Sequence, residues 1–370
     1  LNKKILFVVN VDWFFISHRL PLAIEALKRG YEVSLVCKVT TKKEYLKNLG
    51  ISVYDLNFSR SGKNIFREIK VLWQLRRILK KLSPSVVHFI TIKPIIYGGI
   101  ASKFLPIKKK VFAISGFGYT FIQQGIKANF LRWFIKQFYS FAIGGKNSSV
   151  IIQNSEDKKI VKSMKNMPIF LIKGSGVDLK KYHYITENNE KIVIVMASRL
   201  LKDKGVLEYI EAAKIIRQKG LNTTFELYGD IDEGNPATLT VSDLEKIKNE
   251  KNVVLKGFSS DIPTIFSHAN IVVLPSYREG LPKVLIEAAA CGRAVVTTNV
   301  AGCKDAIIPN TTGLLCEVKD SNSLAMQIEK LILDVKLRND MGKAGRVLAE
   351  EKFDINKIVA EHFSIYENEK

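Results

Sequence analysis

Residues 191–220 read KIVIVMASRLLKDKGVLEYIEAAKIIRQKG. The β-branched run Lys191 to Ser198 predicts a strand, and Gly205 to Lys219 carries apolar residues at helical spacing. Between them lies a short polar turn holding Arg199 and Lys204. Working outward, the same alternation continues. Strands are expected at Thr224 to Tyr228, Asn252 to Leu255, Ile271 to Leu274 and Ala294 to Thr298, and helices at Pro282 to Ala290 and Ser321 to Asp334. Strands alternating with helices indicate a parallel sheet with crossover helices.

The first half follows the same rule. Lys4 to Val9, Glu32 to Cys37, Ser85 to Thr91 and Lys110 to Ser115 predict strands; Leu20 to Arg29 and Ile96 to Phe104 predict helices. A chain of 370 residues exceeds what one core usually serves. The α/β architecture expected is therefore two doubly wound, Rossmann-like domains. The boundaries are an N-terminal domain over 1–172, a polar linker over 173–190 (KGSGVDLKKYHYITENNE) and a C-terminal domain over 191–352. A final helix within 353–370 is expected to pack back on the N-terminal domain. Open α/β sheets bind ligands beyond the carboxyl ends of their strands, so the two domains are expected to face across a cleft that holds the site.

Charge is divided unevenly. The chain carries +21, but residues 1–172 hold 30 Lys and Arg against 8 Asp and Glu, while the remainder holds 27 against 28. Such asymmetry points to a polyanion facing the first half, either nucleic acid or an anionic membrane. Residues 126–146, IKANFLRWFIKQFYSFAIGGK, set Trp133, Tyr139 and four Phe among Lys and Arg without an acid, which suits an interfacial helix. The helical stretch Asn64 to Leu82 adds further cations; the plainer alternative is that both are ordinary surface helices. No apolar run is long enough to span a bilayer. The expected location is cytoplasmic, peripheral on the inner face of the cell membrane. The four cysteines form no CxxC pair and read as reduced thiols; no metal is expected.

The densest chemical signal is Ser276-Tyr-Arg-Glu279-Gly280-Leu281-Pro282-Lys-Val284-Leu-Ile-Glu287. A strand ends, a short loop follows, and Pro282 opens a helix whose first N–H groups form an anion site. Glu279 precedes that helix and Glu287 lies within it, so two carboxylates can reach opposite ends of one ligand. A nucleotide sugar has the matching layout: hydroxyls at both ends and a diphosphate between. Arg199 and Lys204, at another strand end, would stabilise the charge growing on a departing diphosphate. Acids at a helix start also arise simply from the macrodipole, and cations at strand ends are common.

These residues stand in one order with Gly229-Asp230-Ile-Asp-Glu-Gly-Asn235-Pro236 and Ala290-Cys-Gly292-Arg, and together they resemble the donor domain of family 4 glycosyltransferases with the GT-B fold. In the first half, Asp12-Trp-Phe-Phe-Ile-Ser17-His18-Arg19-Leu-Pro21, Thr91-Ile-Lys93-Pro94-x-x-Tyr97-Gly98 and Ser115-Gly-Phe-Gly118-Tyr119 resemble a bacterial branch serving capsule and O-antigen assembly. The likeness covers nearly the whole chain. It implies that Arg199 and Lys204 hold the diphosphate, Glu287 the ribose and Glu279 the donor sugar, with N–H groups from Gly280 and Leu281. Gly229, Asp230, Ser276 and Val284 join the donor-binding set, and Phe258 and Asp261 fall where the base is met. The donor implied is a UDP-sugar, N-acetylhexosamine types favoured. The acceptor implied is an undecaprenyl diphosphate-linked saccharide, and transfer is retaining, without metal or other cofactor.

On the acceptor side the candidates are Asp12, His18, Arg19, Lys93 and Tyr119. The family's glycine pair after the first strand is replaced by Asn10-Val11-Asp12-Trp13, and no His or Asp follows the strand ending at Thr91, so no catalytic base is assigned. His88 reads as a packed strand residue. A nucleotide-sugar epimerase of the same fold and a basic nucleic-acid-binding protein remain as alternatives, although no nucleic-acid reader motif is present. Gly116-Phe-Gly118 lacks the third glycine and the acid of a dinucleotide fingerprint.

Overall fold

The computed structural model describes residues 3–58, 65–116, 125–145, 147–164, 167–187, 190–232 and 235–367. Two compact units result: unit 1 comprises Leu1–Ser175 with Ile358–Lys370, and unit 2 comprises Gly176–Lys357.

Unit 1 contains β1 (Lys4–Val11), α1 (Asp12–Lys28), β2 (Glu32–Lys38), α2 (Lys43–Asn48), β3 (Ser52–Asp55), α3 (Ile65–Leu82), β4 (Val86–Ile90), α4 (Ile92–Ala101), β5 (Lys109–Ile114), α5 (Ile126–Ala142), β6 (Ser148–Ile152), α6 (Ser155–Lys162) and β7 (Ile169–Leu171). Its seven strands run parallel in the order β3-β2-β1-β4-β5-β6-β7. Crossover helices cover the faces, so every residue of β4, β5 and β6 is buried, including His88, Lys109, Lys110, Ser148 and Ser149 among the apolar positions.

Unit 2 repeats the scheme with β8 (Ile192–Ala197), α7 (Val206–Gln218), β9 (Thr223–Tyr228), α8 (Val241–Glu250), β10 (Val254–Gly257), α9 (Ile262–His268), β11 (Ile271–Leu274), α10 (Lys283–Ala290), β12 (Ala294–Thr298), β13 (Gly313–Cys316), α11 (Ser321–Leu333) and α12 (Val335–Leu348). Its parallel order is β10-β9-β8-β11-β12-β13. In each sheet the crossovers diverge at one place, between β1 and β4 and between β8 and β11. These are the switch points at which doubly wound sheets offer a crevice.

Two segments differ from the sequence reading, the start of the first helix and the polar stretch 173–190, whereas the last helix joins unit 1 as expected. The helix expected from Leu20 starts at Asp12 and keeps Pro21 in its interior. Buried Phe15, Leu22, Ala23 and Ala26 continue one face through the proline, and that burial outweighs the backbone hydrogen bond the ring removes. His18 is consequently inside a helix and not at its start. The polar stretch 173–190 packs into unit 2 from Gly176 onward: Val177 N–H donates to the Phe353 carbonyl at 2.8 Å, and Val177 and Tyr182 join the core. The last helix, α13 (Ile355–Glu367), belongs to unit 1 from Ile358 onward. There Tyr366 OH meets His88 Nδ1 at 2.7 Å, and Arg29 lies 4.2 Å from the Phe363 ring and 3.2 Å from Glu367. Among the described residues no helix is long and apolar enough to cross a membrane.

Candidate active site

In unit 2 the strand ends around the β8/β11 switch point are brought close by glycines. Gly205 has φ +75°, and a Cβ there would collide with the Pro275 carbonyl; this lets the short 3-10 turn Lys202–Lys204 lie against the end of β11. A Cβ on Gly229 would likewise strike the Ser198 carbonyl. The loop after β11 is tied down from three sides. Tyr277 N–H donates to the Asp203 carbonyl at 2.9 Å and Glu279 N–H to the Ala301 carbonyl at 3.2 Å, while Thr298 Oγ1 donates to the Ser276 carbonyl. Gly302 completes the support, since a Cβ there would sit 2.5 and 2.6 Å from the Glu279 and Gly280 carbonyl oxygens.

This scaffold brings Lys204, Ser276 and Glu279 together. Lys204 Nζ pairs with Glu279 Oε1, and Ser276 Oγ donates to the same oxygen at 2.8 Å. Both members of the ion pair are mostly shielded from water. Arg199 is turned elsewhere: its exposed guanidinium bonds Asp232 Oδ2 at 2.5 Å. Helix α10 begins just past Gly280 and Leu281; Pro282 supplies no side-chain cap, and the first turn holds no acid. The donors of that helix start are thus not neutralised by its own side chains.

Glu287 is buried one turn into α10. It accepts a hydrogen bond from Tyr182 OH at 2.6 Å, and Lys283 Nζ lies 3.0 Å from the same oxygen. Burial, with the neighbouring carboxylates of Glu287 and Asp261, pushes the Tyr182 phenol far above its ordinary pKa, so it stays a donor. Tyr182 escaped the sequence reading because it sits in a polar stretch without periodicity, and Thr298 because a strand threonine gives no sign of bonding a neighbouring loop. Leu281 is buried in the core and Val284 packs against it. Asp230 is exposed and accepts Leu200 N–H at its carbonyl, 2.9 Å. Phe258 is 73% exposed, and Asp261 caps α9 through Thr264 N–H at 3.4 Å.

The acceptor-side candidates are scattered over unit 1. Asp12 is fully buried and accepts from Thr40 N–H (2.7 Å), Thr40 Oγ1 (2.6 Å), Trp13 N–H (2.8 Å) and Lys42 N–H (3.2 Å). Burial opposes its charge, yet the bonds from Thr40, Lys42 and Trp13 together hold its pKa below the ordinary value. Its capacity is spent on fixing the turn after β2. His18 stacks on Phe14 at 4.1 Å. Arg19 is buried and donates to Ser175 Oγ at 3.1 Å and the His18 carbonyl at 3.0 Å, and burial lowers its pKa to about 10. Lys93 pairs with Glu68 at 3.2 Å, the acid that also accepts from Tyr97 OH. Tyr119 lies outside the described residues. Among the described residues no three His, Cys, Asp or Glu side chains gather as a metal site. All four cysteines are buried; Cys303, between the two threonines of β12, has its thiol pushed by burial up to about 12.

Comparison with known proteins gives two adjoining family matches. The model described as "Glycosyl transferases group 1" matches residues 180–348, and that described as "Glycosyl transferase 4-like" matches residues 4–155. The chain is 30% identical over 377 residues to N,N'-diacetylbacillosaminyl-diphospho-undecaprenol alpha-1,3-N-acetylgalactosaminyltransferase of Campylobacter jejuni, covering 95% of this chain and 97% of that protein. It is also 30% identical over 383 residues to the capsular polysaccharide biosynthesis glycosyltransferase CapM of Staphylococcus aureus, covering 99% and 97%. Among solved structures, sucrose-phosphate synthase of Thermosynechococcus elongatus superposes with a TM-score of 0.82 at 18% identity, covering 98% of each chain.

Proposed function

Because this chain belongs to the group 1, family 4 glycosyltransferases of GT-B fold, in the capsule and O-antigen branch, we propose that it moves an N-acetylhexosamine from a UDP-sugar to a polyprenyl diphosphate-linked saccharide, with retention at the anomeric carbon. The observation that carries this reading is the shielded Lys204–Glu279 pair, with Ser276, beside the uncapped start of α10. Lys204 and the N–H groups of that helix start would meet the diphosphate, Glu279 the sugar hydroxyls, and Glu287, held by Tyr182, the ribose. The similarity to the Campylobacter enzyme, an N-acetylgalactosaminyltransferase named for a diphospho-undecaprenol substrate, supports the choice of sugar and acceptor.

In the proposed reaction the bond from the anomeric carbon to the β-phosphate oxygen breaks, and the acceptor oxygen bonds to the same face. The acceptor proton passes to the departing phosphate, so UDP leaves with the proton and no separate base is required. Lys204 stabilises the charge that grows on the leaving group, an effect larger in the transition state than in the ground state. Arg199 would leave Asp232 to join it. No step in this scheme calls for a metal ion.

Unit 1 presents a surface suited to the lipid. Helix α3 packs beside α4 and α4 beside α5, so their outer faces lie on one side. There Phe66, Ile69 and Trp73 of α3 and Phe130, Trp133, Phe134, Phe138 and Phe141 of α5 are all exposed, Phe66 by 80% and Trp133 by 56%. Arg77 stacks 4.5 Å from the Trp73 ring and Lys103 lies 3.1 Å from the Phe141 ring. Aromatics interleaved with cations suit peripheral association with an anionic leaflet on the cytoplasmic side.

The test is calorimetric binding of UDP, with and without EDTA, to the wild type and Lys204→Ala, followed by NMR of the product's anomeric centre. The reading expects metal-free UDP binding, weakened by the substitution, and an α-linked product from an α-linked donor. Absence of UDP binding would sink it.

A further inference from the structure

At the carboxyl edge of the unit 1 sheet, three neighbouring strands end in polar residues. The side-chain oxygens Asn10 Oδ1, Thr91 Oγ1 and Ser115 Oγ are shut off from water and have no hydrogen-bond partner among the described residues. Buried polar atoms in native proteins nearly always have a partner, and the exceptions mark a place where something else supplies it. The ladder sets Val8 opposite Phe89 and Ile90 opposite Ala113. Continuing that register brings Asn10 level with Thr91, and Ser115 follows on the next strand. The three therefore flank the β1/β4 switch point, where α1 leads one way to β2 and α4 the other way to β5.

Thr91 stands out further. It has φ 74° and ψ 166°, a backbone region in which a β-branched residue is strained. Its position before α4 is the one from which a threonine hydroxyl ordinarily caps the helix, yet it makes no such bond. The strain therefore gains no cap, and the hydroxyl remains uncommitted. The nearby charged candidates are committed: Asp12 to Thr40 and Lys42, Lys93 to Glu68. Among the described residues, Asn10, Thr91 and Ser115 leave three neutral oxygens at the switch point, which suit an uncharged hydroxylated ring better than a phosphate.

We propose that Asn10, Thr91 and Ser115 are the residues that recognise the acceptor sugar, bonding its hydroxyl and amide N–H groups, and that Thr91 positions the attacking hydroxyl. The inference rests on the glycosyltransferase reading. It makes Thr91 a specificity-determining residue in place of the missing His or Asp, without any proton transfer assigned to it.

The experiment compares wild type, Thr91→Val, Thr91→Ser and Ser115→Ala by three readouts: calorimetric affinity for a short-chain polyprenyl diphosphate N-acetylglucosamine and its N-acetylgalactosamine counterpart, calorimetric affinity for UDP, and the melting midpoint without ligand. Thr91→Val keeps the shape and the strain but loses the oxygen. The expected result is acceptor binding weakened about tenfold, the scale of one hydrogen bond, with recovery in Thr91→Ser and UDP affinity unchanged in all variants. The unliganded midpoints of Thr91→Val and Ser115→Ala should hold or rise, because each deletes a buried oxygen that nothing satisfies. Unaltered acceptor affinity in Thr91→Val, a wild type that binds neither acceptor, or a fall in both midpoints would overturn the proposal. Failure of UDP to bind the wild type would instead count against the donor reading, and the acceptor and melting arms would still decide this one.

Discussion

The two sheets end differently at their switch points. In unit 2 each strand end is locked to its neighbour: Gly205 against Pro275, Gly229 against Ser198, Gly302 against the Glu279 backbone, and Ser276 and Tyr277 to Thr298 and Asp203. In unit 1 the corresponding edge holds three oxygens without partners among the described residues and a strained Thr91, and α3 and α5 of the same unit expose aromatics. A cradle held by close backbone approach suits a ligand of fixed shape such as a nucleoside diphosphate, since preorganised groups need not rearrange as charge develops. Oxygens without a partner among the described residues suit, on the proposal above, a saccharide that supplies one. The charge difference between the halves, 30 Lys and Arg against 8 acids before residue 173 and near balance after it, follows the same division.

Four measurements would break or sharpen that contrast. The largest effect is expected from Lys204→Ala, which leaves the shielded Glu279 with the Ser276 hydroxyl but no cation; kcat should fall by about 10²–10³, the scale of losing one preorganised charge partner. Acceptor affinity should be unchanged, and a matching loss there would erase the division of labour.

Acid should act on unit 1 first. His88 and His362 are fully buried, and burial, with the nearby Arg19, depresses both pKa values, His362 to about 3. A depressed histidine favours folding while neutral. The stability from this pair is full above the unfolded pKa of about 6.5 and is lost as pH falls from there toward 3, by about 1.4 kcal/mol per pH unit for each histidine. Urea melts at pH 7 and pH 5 should show this loss in the wild type and a smaller one in His362→Gln. The groups facing the pair are Arg19, Tyr366 and Phe7, none of which titrates in that window.

Gly205→Ala tests the locking in unit 2. Positive φ alone costs an alanine about 1–2 kcal/mol, and contact with the Pro275 carbonyl adds to it. A lower melting midpoint together with weakened UDP binding is expected; a silent substitution would mean that the strand ends are not held by close approach. The smallest effect on the folded chain is expected from Trp133→Ser with Phe134→Ser. Both side chains are exposed, so the melt should be unchanged while affinity for anionic vesicles falls about tenfold. Equal vesicle binding would remove the membrane role from α5.

Much of the fold was readable because buried parallel strands are written as β-branched runs, as in Ile192–Ala197 and Ile271–Leu274. Short strands such as Ser52–Asp55, Ile169–Leu171 and Gly313–Cys316 escaped notice, since three or four residues carry no period. The helix expected from Leu20 begins at Asp12, because packing of Phe15, Leu22, Ala23 and Ala26 on one face carries it through Pro21. The Lys204–Glu279 partnership joins residues from two strand ends that only their common order and the resemblance linked.

By itself the sequence determined two α/β repeats, the family, the basic first half and the residue types at the donor cradle, because each is written in local pattern or in motif order. Tertiary structure alone decided which side chains are spent and which are free. Asp12 is consumed by the Thr40 turn, Arg199 is held by Asp232, Tyr182 reaches Glu287 across 105 residues of chain, and Thr91 is left with an oxygen that nothing in the described chain satisfies. Hydrogen bonding between distant segments depends on where the sheet brings them, and no spacing along the chain encodes that.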